Sequence, residues 1–221
     1  MHRPLSSFRL AIFDVDGTLK AERDPYMYLH RCLGTEDAGQ AALQDFLAGA
    51  IDYDTFAQRD AGLWGGAATT HIDALFAAVP YIAEARRLAT ALREAGVPLV
   101  LLSSGLDRHV SQVAEDLGAA RWLANILLTQ DGRLTGRMGV RVPWDEKGRL
   151  ARQIMTELAV APKDCLAVGD GSGDLPVFAE AGYRIAVNPG NDTVRGAADL
   201  VLGETDWSQG LPVGQPDFRE R

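Results

Sequence analysis

The chain has 221 residues, 47% of them hydrophobic, and sets 22 Lys and Arg against 30 Asp and Glu for a net charge of −8. That acidic balance argues against a nucleic-acid binder and against docking on an anionic membrane, and no apolar stretch is long enough to span a bilayer. The length fits one large domain, or a core domain with a smaller insert. Cys32 and Cys165 offer neither a disulfide framework nor zinc spacing, which suits a reducing, cytoplasmic setting. Asp14 interrupts the one apolar candidate for a secretory signal.

Leu10 to Phe13 is a short apolar run that stops at turn residues, so it reads as a buried strand with Asp14 and Asp16 at its carboxyl end. Two carboxylates crowded together repel unless something positive lies between them, and a hard cation such as Mg²⁺ suits oxygen ligands. Residues 21–80 contain no convincing strand. Apolar positions such as Leu29, Leu33, Leu43, Phe46, Leu47 and Phe56 recur three or four apart, and glycines at 34, 49, 65 and 66 divide the stretch into three or four helical pieces. It is expected to be a small helical insert, with residues 1–20 and 81–221 forming the core domain.

Ile82 to Glu94 reads as a helix closed by Gly96. Val97 to Leu102 is a strand buried on both faces that ends in the turn Ser103-Ser104-Gly105, and a helix from Asp107 to Leu117 follows. Residues 126–129 and 133–135 flank Asp131-Gly132 as a hairpin, with a further strand reaching Val142. A helix from Lys147 to Leu158 precedes the strand Cys165 to Val168, in which Cys165 is a buried small hydrophobe. The polar turn 169–174 leads into another helix. Tyr183 to Val187 and Leu200 to Leu202 are strands around a short helix, and residues after Gly203 read as a surface tail.

Strands and helices thus alternate, which implies an α/β, doubly wound parallel sheet interrupted after its first strand by the helical insert. Ligands of such sheets bind outside the carboxyl ends of the strands, where Asp14/Asp16, Ser103, Lys147 and Asp170/Asp174 converge. These residue types suit phosphoryl transfer: a carboxylate nucleophile, a second carboxyl as acid and base, hydroxyl and lysine donors for the phosphate oxygens, and a bridging Mg²⁺. Taken singly, Ser103 can also be a helix cap, Lys147 a solvated residue, and Asp170 and Asp174 turn residues. His2, His30, His71 and His109 lack metal-ligand spacing and are assigned to structure or surface, and the four tryptophans to packing. No Walker-type loop or dinucleotide fingerprint is present.

The stretch Asp14-Val15-Asp16-Gly17-Thr18-Leu19 resembles the first motif of the haloacid dehalogenase (HAD) superfamily. Leu102-Ser103-Ser104-Gly105 is similar to its second motif, Lys147-Gly148 to its third and Gly169-Asp170-Gly171-Ser172-Gly173-Asp174 to its fourth. The helical insert and the Ser-Ser-Gly form look most like the phosphoserine phosphatase branch, with a HAD-like core and a helical-bundle cap. The resemblance implies Asp14 as nucleophile and Asp16 as general acid/base. It implies Ser103, Ser104 and Lys147 as phosphate-binding, and Asp14, the Asp16 carbonyl, Asp170 and Asp174 around Mg²⁺. Glu22, Arg23 and Arg59 are the implied specificity residues, and Gly173 departs from the branch pattern of a phosphate-holding side chain. The expected activity is hydrolysis of a small phosphorylated metabolite, with phosphotransfer to a second hydroxyl or a non-catalytic binding role as alternatives. A homodimer is the expected assembly, with neither nucleic acid nor membrane as partner.

Overall fold

The computed structural model describes residues 2–204 and 206–212. In chain order, β1 (His2–Arg3) and β2 (Leu10–Phe13) precede four helices, α1 (Pro25–Leu33), α2 (Glu36–Leu47), α3 (Tyr53–Leu63) and α4 (Thr69–Ala78). Then follow α5 (Ala83–Glu94), β3 (Leu99–Leu106), α6 (Asp107–Leu117), β4 (Arg121–Gln130), β5 (Arg133–Gly139) and α7 (Lys147–Glu157). The chain continues through β6 (Cys165–Gly169), α8 (Leu175–Glu180), β7 (Tyr183–Val187), α9 (Asp192–Ala197), β8 (Leu200–Leu202) and β9 (Leu211–Pro212).

Seven strands form one sheet in the order β5-β4-β3-β2-β6-β7-β8, parallel except for the edge strand β5. Side chains alternate between two cores. Ala11, Phe13, Leu99, Leu101, Leu166 and Val168 pack with α5 and α6, whereas Leu10, Ile12, Val100, Leu102, Cys165 and Ala167 pack with α7 and α8. This two-sided burial is why these strands are apolar at nearly every position. The central register pairs Phe13 with both Leu101 and Val168, so the residues that leave β2, β3 and β6 emerge side by side at one edge.

The helices α1 to α4 build a third core around Trp64, Ile72, Phe76 and Leu29, shared with Leu127, Leu134 and Met138 of the β4–β5 hairpin. Trp64 is almost completely buried, its indole N–H donating to His30 Nδ1 at 3.1 Å. His30 and Asp60 pair at 3.2 Å inside the same core.

Three local expectations are corrected. Ser103, Ser104 and Gly105 are not a turn after β3 but part of it: the strand runs on to Leu106 through a bulge, where Leu102 pairs with Leu123 and Leu106 with Asn125. No strand reaches Val142, because β5 stops at Gly139 and the Asn125 side-chain oxygen takes the N–H groups of Arg141 and Val142, both at 2.9 Å. The described end of the chain is not a surface tail. Leu211–Pro212 pairs with His2–Arg3, Leu211 is fully buried, and the Tyr183 hydroxyl donates to the Pro212 carbonyl at 2.7 Å. The rest of that stretch lies outside the described residues. No helix among the described residues is long and apolar enough to cross a membrane.

Candidate active site

The site begins where β2 ends. The Asp14 N–H donates to the Val168 carbonyl at 2.9 Å, continuing the ladder to β6 by one residue. The chain then turns sharply: the N–H groups of Leu19 and Lys20 both return to the Val15 carbonyl, and Gly17 adopts φ +83°. Only glycine suits Gly17, since a Cβ there would collide with the Asp170 carboxylate. This turn brings Thr18 against β6, where its hydroxyl donates to Asp170 Oδ1 at 3.1 Å.

Lys147, the first residue of α7, reaches between two carboxylates: Nζ lies 2.9 Å from Asp14 Oδ1 and 2.7 Å from Asp174 Oδ1. The other Asp174 oxygen accepts the N–H groups of Asp170 and Gly171 at 3.0 and 3.1 Å, which locks the loop after β6. Arg23 sits 3.2 Å from Asp170 Oδ2 and also donates to the Asn188 carbonyl. Asp16 faces the other way. Its Oδ2 accepts from the Ser103 hydroxyl at 2.9 Å, and its Oδ1 meets His109 Nδ1 at 2.8 Å. The Ser103 hydroxyl in turn accepts the Gly105 N–H at 2.8 Å, and a Cβ on Gly105 would strike the Asp16 carboxylate.

Burial dominates the electrostatics. Desolvation pushes the Asp14 carboxyl well above the usual carboxylate range, against the pull of Lys147, and the neighbouring acids push the same way. Desolvation and the Asp174 charge lift Asp170 to about 6, although Arg23 and the Thr18 hydroxyl favour its ionised form. Burial alone would lower the Lys147 ammonium, but Asp14 and Asp174 outweigh it and hold the group charged. Three buried acids therefore share one buried cation, with a second cation at the rim.

That charge imbalance tests whether the residues suit a metal. One oxygen from each of Asp14, Asp170 and Asp174 lies within 4.8 Å of the other two, and all three residues are buried. Hard oxygen donors with an excess of negative charge fit a divalent cation of the Mg²⁺ type. The Asp16 carboxylate is not part of this group, so only its backbone remains available for that part.

The cleft above these residues holds about 410 Å³. It is lined by Asp14, Asp16, Ser103, Ser104, Lys147, Asp170 and Asp174 from the strand ends and α7, by Arg23 just before α1, and by helical residues including Tyr26, Phe46 and Phe56. Eight of the ten residues singled out from the sequence therefore meet at one place. Ser104 contributes its carbonyl, which accepts from the Tyr26 and Tyr53 hydroxyls and from Asn125, while its own hydroxyl is buried without a partner among the described residues. Glu22 and Arg59 stand outside the lining. Glu22 is paired with Arg31 at 2.7 Å, and Arg59 with Asp45 at 2.6 Å on the exposed side of the helices.

One assignment from sequence is refined and one is overturned. His109 is the structural one of the two kinds expected, and it also reaches the site: it is 1% exposed, stacked on Phe76 at 4.6 Å, and bonded to Asp16. Its pattern signal was an apolar helix face, which conceals a polar contact made across 93 residues. Trp144 is not a packing residue; it is 45% exposed and lines the cleft.

Residues 11–179 match the sequence profile of the family described as haloacid dehalogenase-like hydrolase. The phosphoserine phosphatase of Polaromonas sp. is 29% identical over 208 residues, covering 90% of this chain and 87% of that protein. The phosphoserine phosphatase of Albidiferax ferrireducens is 29% identical over 220 residues, covering 96% and 92%. Among solved structures, a phospho-aspartyl intermediate analogue of phosphoserine phosphatase superposes with TM-score 0.74 at 24% identity, over 90% of this chain and 95% of that one. A HAD family hydrolase from Salmonella enterica serovar Typhi does so with TM-score 0.79 at 21% identity, over 88% and 67%. At those identities the superpositions establish the α/β fold, while the profile match spans most of the chain and includes both acid-bearing strand ends. The chain belongs to the haloacid dehalogenase-like hydrolase family and resembles its phosphoserine phosphatase branch.

Proposed function

We propose that the chain is a Mg²⁺-dependent phosphomonoesterase that hydrolyses a small phosphorylated metabolite through a phosphoryl group carried on Asp14. The observation that supports this most is the pairing of two acids from one turn with opposite surroundings. Asp14 is buried beside Lys147, and Asp16 is held by Ser103 and His109. Acids whose surroundings differ in this way can divide the roles of nucleophile and proton carrier.

In the first step an Asp14 oxygen forms a bond to phosphorus as the bond from phosphorus to the ester oxygen breaks. Asp16, entering this step protonated, gives its proton to the leaving alkoxide. In the second step Asp16 takes a proton from water as that water attacks phosphorus, releasing inorganic phosphate and restoring Asp14. Lys147 supplies positive charge to the phosphoryl oxygens, and Ser103 a hydroxyl and the adjoining backbone donors. Bound Mg²⁺, held by Asp14, Asp170 and Asp174, would neutralise the repulsion between carboxylates and phosphate. The phosphoserine phosphatase names of the two bacterial relatives are consistent with monoester hydrolysis, and two free thiols suit a cytoplasmic setting.

The test is phosphate release from a panel of monoesters, with Mg²⁺ and with chelator, for the wild type and Asp14→Asn. The expected result is metal-dependent release by the wild type and a loss of about 10³-fold or more in Asp14→Asn at unchanged fold, in the range seen when a nucleophile is removed. Undiminished release by Asp14→Asn would overturn the assignment.

A further inference from the structure

The helical wall of the cleft is almost entirely hydrocarbon. Leu43 and Phe46 come from α2, Tyr53 and Phe56 from α3, and Tyr26 from α1, while Trp144 lines the same cleft from the turn before α7. Their rings form a continuous surface. Phe46 stacks on Phe56 at 5.2 Å and 18°, Phe56 stacks on Tyr26 at 5.7 Å and 26°, and Tyr53 abuts Phe46 at 5.7 Å. The two tyrosine hydroxyls are not free to greet a ligand, since both donate to the Ser104 carbonyl and both accept from Asn125.

The charged residues of the cleft are equally committed. Among the described residues lining it, the cations are Lys147, wedged between Asp14 and Asp174, and Arg23, held by Asp170 and the Asn188 carbonyl. Asp24 caps α1 by accepting the N–H groups of Tyr26 and Met27 at 3.1 and 2.9 Å. Arg59, one of the implied specificity residues, is on the outer side with Asp45. An amino-acid phosphate would therefore bring an ammonium and a carboxylate against an apolar wall with no free cation for the carboxylate, and unpaired charges in such a place are costly.

We infer that the preferred substrate is a phosphomonoester of an uncharged, apolar alcohol about the size of an aromatic ring, whose hydrocarbon part packs on the Leu43–Phe46–Phe56 wall. The cleft volume of about 410 Å³ leaves room for such a group beside the phosphate. This inference rests on the hydrolase reading above and narrows it away from phosphoserine.

The test compares kcat/KM, with Mg²⁺ present, for 2-phenylethyl phosphate, ethyl phosphate and O-phosphoserine, all esters of primary alcohols. The wild type is expected to favour 2-phenylethyl phosphate over both others by about tenfold or more, the scale on which an apolar pocket discriminates. Phe46→Ser is expected to cut the ratio of 2-phenylethyl to ethyl phosphate turnover severalfold, and Leu43→Ser, a smaller change in the same wall, to act in the same direction. Phosphoserine turned over as well as or better than the phenylethyl ester would overturn the inference and leave the hydrolase reading standing. Absence of release from all three esters would overturn both, and a ratio unmoved in the two folded variants would remove the wall from substrate choice.

Discussion

Asp16 is fastened at both oxygens, by the Ser103 hydroxyl at 2.9 Å and by His109 Nδ1 at 2.8 Å. His109 is itself clamped flat against Phe76 at 4.6 Å. This contact lets His109 fix the rotamer from which, in the mechanism proposed above, the Asp16 carboxyl delivers its proton. His109→Leu is expected to lower kcat about 10–100-fold, the usual cost of losing such a supporting contact. The loss should be larger on an alkyl phosphate than on p-nitrophenyl phosphate, whose leaving group needs no proton; equal losses on both esters would contradict a role through Asp16. The acids of this site were legible in the sequence because they lie in the polar turns that follow two short apolar strands, β2 and β6. His109 was not, since its helix reads as amphipathic and nothing in local spacing reveals a contact 93 residues back. Arg59, singled out from the sequence as a specificity residue, is turned toward Asp45 by the phase of its helix.

At the level of elements, Asn125 of β4 joins three parts. Its amide nitrogen donates to the Ser104 carbonyl at 2.8 Å and to both the Tyr26 and Tyr53 hydroxyls, and its oxygen takes the N–H groups of Arg141 and Val142. The bulged end of β3, the helices α1 and α3 and the exit from β5 are thereby held together. Asn125→Ala leaves the buried Val142 N–H without its acceptor and should destabilise the fold by about 3 kcal/mol, whereas Tyr53→Phe, which removes one hydroxyl, should cost about 1 kcal/mol. Equilibrium urea unfolding checks both, and a cost for Asn125→Ala no greater than for Tyr53→Phe would contradict the joining role. The alternation of strands and helices was readable because two-sided burial makes each parallel strand a continuous apolar run. The bulge in β3 and the loop to Val142 were not readable, because a single side chain at Asn125 replaces backbone pairing there. Leu211 was missed because a two-residue strand offers no period to detect.

For the whole molecule, three cores divide the work: two sandwich the sheet, and the third binds the helices α1 to α4 to the β4–β5 hairpin above the strand ends. Cys165 lies in the second core, where desolvation lifts its thiol to about 12. An unfolded chain ionises that thiol near 8.5, so between about pH 8.5 and 12 the folded state binds the extra proton and stability falls as pH rises. Cys165→Ala removes this contribution. The stability difference between wild type and variant should therefore shift in the variant's favour by about 1.4 kcal/mol per pH unit above 8.5. A difference independent of pH, in unfolding experiments from pH 7 to 10, would contradict the protected thiol. Cys32, exposed on α1, should react with thiol reagents in the native protein while Cys165 does not.

The proposed division of labour between Asp14 and Asp16 is tested most directly by an attempt to trap a phosphoryl-enzyme. Turnover of a monoester is quenched with acid, reduced with borohydride and mapped by mass spectrometry of the peptide that contains both acids. Reduction of Asp14 alone to homoserine is the expected outcome. Modification of another residue, or none during demonstrable turnover, would contradict the account.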